Sequence, residues 1–225
     1  MMKTVAFVPI KTNNERMPGK NTRAFSNGKP MLSYILNTLR TVGEIDEAYV
    51  YCSDESIREY LPEGIRFLKR DPYYDQQTTS FNEVLASFAD LVDADIYLLT
   101  HATAPFISAE TMRTAVRKVR DEGYDSAISA LRKQDFVWKG GRPANYDPLH
   151  IPRTQDLEPF YLETCGLYVY RSELMKKEKR RIGDKPYLVE VSPVEACDVN
   201  DQDDFDFADI IACGLDTLSG KGGTE

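Results

Sequence analysis

No run of eighteen or more apolar residues occurs in the 225-residue chain, so no transmembrane helix is expected. Met1-Met2-Lys3-Thr4 passes straight into strand-like sequence without the apolar core and cleavage site of a signal peptide, and a cytoplasmic location is expected. Cysteine is sparse: Cys52, Cys165, Cys197 and Cys213 are far apart and form no Cys-x-x-Cys pair. That spacing argues against zinc and for buried thiols in a reducing compartment. Positive charge is in deficit, 28 Lys and Arg against 36 Asp and Glu, which disfavours a nucleic-acid-binding surface. No Gly-x-Gly-x-x-Gly follows the first apolar run, so a dinucleotide-dependent oxidoreductase is excluded. Only two histidines are present, and no Ser-His-Asp or Cys-His arrangement suggests a dedicated nucleophile.

What remains is ordinary globular composition, 42% hydrophobic and 28% charged, and a length that suits one α/β domain with a sizeable core. The stretch that organises it is Thr4 to Asn21. A short apolar, β-rich run ends abruptly, and the loop after it gathers Lys11, Arg16, Lys20 and Arg23 with Asn13, Asn14 and Asn21 between them. In an open α/β sheet ligands lie beyond the carboxyl ends of strands, and the first such loop commonly holds phosphate. A cationic loop on an acidic background suits a small anion held in one place; a solvated basic loop is the alternative.

Periodicity places the other elements. Helices are predicted from about Pro30 to Val42, from Ser80 onward with Phe81, Val84, Leu85, Phe88 and Leu91 inward, from Ser108 to near Gly123, and at the end with Phe205, Ala208, Ile211 and Leu215 inward. Strands are predicted at Glu47–Cys52, Ile65–Arg70, Asp95–Thr100, Asp125–Leu131, Glu163–Tyr170 and Tyr187–Val191, the last at an edge. Between 133 and 148 the pattern breaks around Trp138, Gly140, Gly141 and Pro143, as in a hairpin-like excursion. The basic run Lys176, Lys177, Lys179, Arg180 and Arg181 reads as a solvated face without a function.

Five short motifs, in order, resemble those of the CMP-sialic acid synthetases, the acylneuraminate cytidylyltransferases. Pro18-x-Lys20-Asn21 closes the first loop as in that family, and Cys52-Ser53-Asp54 resembles its Ser-Thr-Asp. Leu98-Leu99, Thr103 and Pro105 fit its Leu-Leu-Gln-Pro-Thr-Ser-Pro-Leu segment. Arg153-Thr154-Gln155-Asp156-Leu157 resembles Arg-x-Gln-Asp-Leu, and Asp198-Val199-Asn200 stands where the family has Asp-Ile-Asp. Departures are Lys11 for the family's Arg, Asn14-Glu15-Arg16 for Ser-Lys-Gly, Cys165 for Asn, and Asn200 for the second Asp.

The resemblance implies an α/β, Rossmann-like three-layer nucleotide-diphospho-sugar transferase fold with a mostly parallel sheet. One cytidylyltransferase domain would span 1–218, with a small dimerisation excursion at about 133–160 and a disordered tail at 219–225. It implies a homodimer that moves CMP from CTP to an acidic sugar, a nonulosonic acid such as an N-acylneuraminate, releasing pyrophosphate. Pro9, Ile10, Lys11, Asn13, Asn14, Lys20, Asn21, Arg70 and Ser80 would bind the nucleotide, and Lys20, Lys11 and Arg16 would stabilise the leaving group. Thr100, His101, Thr103, Arg153 and Gln155 would face the acceptor, and Asp198 with Asn200 would hold Mg²⁺. Each match has a plain alternative: Ser80 as a helix cap, Arg153 paired with Asp156 or Glu158, and Asp201, Asp203 and Asp204 favoured at a helix start by the dipole alone. The departures leave two further readings open, a cytidylyltransferase for a 3-deoxy-ulosonic acid or a phosphonate, and a nucleotide-binding relative without catalysis.

Overall fold

The computed structural model describes residues 2–14 and 16–221, with side chains to 218. Strand β1 (Thr4–Ile10) carries apolar side chains on both faces: Ala6, Val8 and Ile10 enter one core cluster, Val5 and Phe7 the other. A strand buried on both sides belongs at the centre of a sheet. It pairs in parallel with β2 (Glu47–Cys52) and β4 (Ile96–Thr100). β3 (Ile65–Lys69), β5 (Ser126–Lys133), β8 (Phe160–Arg171) and β9 (Pro186–Glu190) complete a seven-stranded sheet, ordered β3-β2-β1-β4-β8-β5-β9. Within this sheet, among the described residues, β8 is the strand that runs antiparallel to both of its neighbours.

Two helices cover each face. α1 (Met31–Leu39) and α3 (Ala109–Asp121) pack on the Ala6 side, whereas α2 (Phe81–Leu91) and α4 (Ser172–Glu178) pack on the Phe7 side. The chain leaves β1 toward β2 on one flank while β4 lies on the other, so the two carboxyl ends diverge and open a crevice. α5 (Gln202–Lys221) lies over a third apolar cluster, in which Phe205, Ala208 and Ala212 meet Met17, Phe25 and Phe106. No helix among the described residues is long and apolar enough to cross a membrane.

Several boundaries differ from the sequence reading, each for a local reason. α1 stops at Leu39 and starts after Pro30, which takes extended backbone as the N-cap. Phe81 and Leu91, expected inward, are exposed at the two ends of α2. Leu215 is also exposed, because the inward stripe of α5 passes through Ala212. Cys165, expected buried, is exposed; it sits with φ 57° where the β5–β8 register shifts, while Cys52 and Cys197 are buried and Cys213 lies between. α5 continues through 219–221, where the tail was expected to begin, and 222–225 lie outside the described residues. The expected excursion contains a two-stranded hairpin, β6 (Trp138–Lys139) with β7 (Arg142–Pro143).

Candidate functional site

The loop after β1 is closed by two amides. Asn14 Nδ2 and Asn21 Nδ2 both donate to the Lys11 carbonyl, at 2.7 and 3.1 Å, and the Asn21 carbonyl accepts from the Leu32 amide. Gly19, at φ 70°, makes the left-handed turn that delivers Lys20. Beneath, Met17 and Phe25 anchor the loop in the cluster under α5. Lys20 is therefore buried, and its Nζ donates to the Val199 carbonyl at 2.9 Å. The Val199 amide in turn donates to the Thr103 carbonyl at 2.8 Å, so one residue fastens the loops after β1 and β4 to the segment before α5. Burial pulls the Lys20 ammonium below the usual lysine range; Asp198 opposes the shift, Arg16 adds to it, and Asp204 and Asp201 oppose it.

Asp198 acts on that ammonium through its charge but forms no ion pair with it, and it accepts from Asn200 Nδ2 at 2.9 Å, while the backbone N–H of Asn200 donates to Asp204. No cluster of three His, Cys, Asp or Glu able to hold a metal occurs among the described residues. The donor set is one carboxylate and one amide whose nitrogen faces it. A cation shared by both side chains requires the amide to turn over by about 180° and takes its other ligands from phosphate and water. On those terms one carboxylate and one amide oxygen are the protein ligands the pair could offer a hard cation.

Arg70 is buried at 3% exposure after β3. One terminal nitrogen donates to the Ile10 carbonyl at 2.6 Å and to Asp75 at 2.5 Å, but the buried Nε has no acceptor among the described residues. A buried donor without an acceptor is uncommon and calls for a partner. Arg70 lines a cleft of about 280 Å³ with Pro9, Lys11, Tyr74, Gln77 and Phe81. A second cleft, about 270 Å³, is lined by Lys11, Asn13, Asn14, Arg16, Lys20 and Gln77, so the two share Lys11 and Gln77. A third, about 420 Å³, is reached across Phe81 and bounded by Ser80, Asn82, Arg180, Arg181 and Ile182. The three clefts are linked through shared lining residues, with Lys11, Arg16 and Lys20 on the second and Arg180 and Arg181 on the third.

Other residues from the sequence reading stand differently. Ser80 caps α2 in a full capping box with Glu83 and also borders the third cleft. Ile10 is core, offering only its carbonyl. Thr100 is fully buried, its hydroxyl donating to the Gly166 carbonyl at 2.8 Å across the β4–β8 pair. At Gly166 a Cβ would lie 2.9 Å from the tip of Ile107 and 3.1 Å from Ala104 Cβ, so a larger residue there would displace Ile107. Thr103 is held by its carbonyl to Val199. Arg153 is 72% exposed along its side chain and pairs with Asp156 through two bonds of 2.7 and 2.9 Å. Gln155 accepts through its carbonyl from Gln134, and neither Arg153 nor Gln155 borders any of the three clefts.

His101 is half-buried with its ring 5.5 Å from that of Phe81. Burial, reinforced by the charge of Arg181, pushes its pKa down to about 4, so the imidazole is neutral at physiological pH. Sequence reasoning missed Arg181 and Asp75. Asp75 gave one usable signal, a carboxylate five residues after a buried arginine.

The family model for cytidylyltransferases matches residues 5–192. N-acylneuraminate cytidylyltransferase A of Danio rerio is 25% identical over 205 residues, 87% of this chain and 47% of that protein. The chain thus spans about half the length of the N-acylneuraminate relatives it matches. Pseudaminic acid cytidylyltransferase of Campylobacter jejuni is 22% identical over 224 residues, 93% of this chain and 96% of that protein. Among solved structures, CMP:2-keto-3-deoxy-manno-octonic acid synthetase complexed with CTP superimposes with a TM-score of 0.69 at 17% identity, covering 95% of this chain and 99% of that one.

Proposed function

The chain belongs to the cytidylyltransferase family, and from that premise we propose that it transfers CMP from CTP to a hydroxyl of an acidic sugar, a nonulosonic acid such as an N-acylneuraminate, releasing pyrophosphate. The observation that carries this reading is the bond from the Lys20 ammonium to the carbonyl of Val199, the residue after Asp198, which brings a buried cation within electrostatic reach of that carboxylate at the carboxyl edge of the sheet. One N–H of the Lys20 ammonium is engaged by Val199; the others, which have no hydrogen bond among the described residues, could meet phosphate. Lys11 and Arg16 border the same cleft and would share the charge that develops on the departing pyrophosphate. Arg70, with its unsatisfied Nε, would hold the nucleotide beyond them. Asp198 with Asn200 would hold Mg²⁺, which, when bound, draws charge from the phosphate oxygens.

The relatives named for N-acylneuraminate and pseudaminic acid supply the acceptor class, carboxylate-bearing sugars. A homodimer belongs to the same reading. Trp138, Leu149 and Ile151 on the excursion are 63%, 84% and 67% exposed, an apolar surface suited to a second copy. The test is pyrophosphate release with each of the four nucleoside triphosphates against N-acetylneuraminate, pseudaminic acid and 3-deoxy-manno-octulosonate. Release with CTP and one of these acids is expected. Tight CTP binding without release would identify a non-catalytic relative, and release with a different triphosphate would overturn the reading.

A further inference from the structure

We propose that Arg181 receives the carboxylate of the acceptor in the cleft it shares with Phe81; this rests on the reading above that the acceptor is an acid. The two adjacent arginines after α4 have opposite fates. Lys179 takes a left-handed conformation at the end of the helix, and beyond it Arg180 pairs with Glu178 and Asp184 at 2.6 and 2.8 Å. Arg181 instead lies over β8, its guanidinium carbon 3.9 Å from the centre of the Tyr168 ring and 5.2 Å from that of Phe81. Stacking fixes the plane of the guanidinium and leaves its N–H edge for other contacts.

That edge makes no hydrogen bond among the described residues. The nearest carboxylate, Glu163, is 4.0 Å away, beyond hydrogen-bond distance, and already accepts from the Tyr168 hydroxyl. Glu163 is 41% exposed along its side chain, so solvent screens its charge. Arg181 is 23% exposed and borders the third cleft. The neighbouring imidazole of His101 is neutral and adds no competing charge. A planar donor fork, held by ring faces and open at its edge, matches a carboxylate bidentately. The cations that suit the triphosphate, Lys11, Arg16 and Lys20, line a different cleft, so the nucleotide phosphates have their own partners.

The experiment follows the imidazole NMR signals of His101 and His150 in wild type, Arg181→Gln and Arg181→Lys, titrated separately with N-acetylneuraminate, with 3-deoxy-manno-octulosonate and with CTP. Pyrophosphate release is measured in parallel. In wild type an acid moves the His101 signal and leaves that of His150 in place; Arg181→Gln weakens that acid at least tenfold with CTP affinity unchanged within twofold, and Arg181→Lys falls between. Acid affinity within threefold of wild type in Arg181→Gln, with turnover intact, overturns the inference while the proposed function stands. An equal loss of CTP and acid affinity also overturns it, placing a phosphate at Arg181. A wild type that neither binds nor turns over any acid sinks the proposed function and this inference with it.

Discussion

Lys20→Met separates what the buried ammonium does for the fold from what it does for a triphosphate. Methionine keeps the length of the stem and removes the charge. Removal costs the bond to the Val199 carbonyl, about 1.5–3 kcal/mol for a hydrogen bond to a charged group. It also relieves the burial that holds the ammonium below its ordinary range. These effects oppose each other, and the variant without nucleotide is expected to melt within ~3 °C of wild type, where 1 kcal/mol corresponds to ~2–4 °C for a chain of this size. With ligand the outcome diverges. CTP at a hundred times its Kd stabilises wild type by about 2.7 kcal/mol, a rise of ~5–10 °C. If Lys20 supplies one charge-assisted contact to phosphate in a dry site, its loss weakens CTP by ~10–100-fold. The rise at the same CTP concentration then shrinks to a few degrees or less, and kcat falls by about 10²–10³-fold. Thermal melts with and without CTP, at fixed Mg²⁺, read both quantities. A variant that keeps the full CTP-dependent rise refutes the placement of the triphosphate against Lys20.

Three other outcomes are expected. Asp198→Ala lowers pyrophosphate release by about 10²-fold or more and raises the Mg²⁺ concentration needed for half-maximal activity; unchanged release removes Asp198 from the metal site. His101 has a folded pKa of about 4 against 6.5 unfolded, so below pH 6.5 the unfolded chain takes up a proton that the folded chain refuses. Stability therefore falls as pH drops from 6.5 toward 4, by about 3 kcal/mol at most from this group. Urea midpoints at pH 7 and 4.5 are expected to differ less in His101→Gln than in wild type, and an equal difference sinks the assignment. Trp138→Glu places a charge on the exposed apolar surface of the excursion and is expected to shift the native mass, measured by light scattering, from two chains to one; wild type measured as one chain rejects the dimer.

Most of the fold was legible because its cores obey simple periods. β1 alternates Val5 and Phe7 against Ala6, Val8 and Ile10, and α3 buries Met112, Ala115, Val116 and Val119 on one side. The approach of Lys20 to Val199, 179 positions apart, was legible only through the order of motifs, since no local pattern encodes so distant a contact. Thr100 shows the limit of such matching: its place in a motif suggested a ligand contact, but it ends a strand buried on both faces, where a hydroxyl must find a partner inside the sheet. Arg181 shows the converse. Within a run of five cations nothing in the sequence distinguishes the one that crosses onto Tyr168 from the one neutralised by Glu178 and Asp184. The choice is made by the backbone turn at Lys179 and by an aromatic ring on a strand that was formed ten residues earlier.

Val199 gives the molecule an order of assembly. The sheet can close from β1 to β9 by pairings that do not involve α5, yet the hydrophobic undersides of Met17 and Phe25 find cover only when α5 docks. On a ribosome, α5 emerges after every strand of the sheet. Until it arrives the first loop lacks the Phe205 side of the cluster around Met17 and the settled Val199 acceptor for Lys20, so the order of the first loop waits on the last helix.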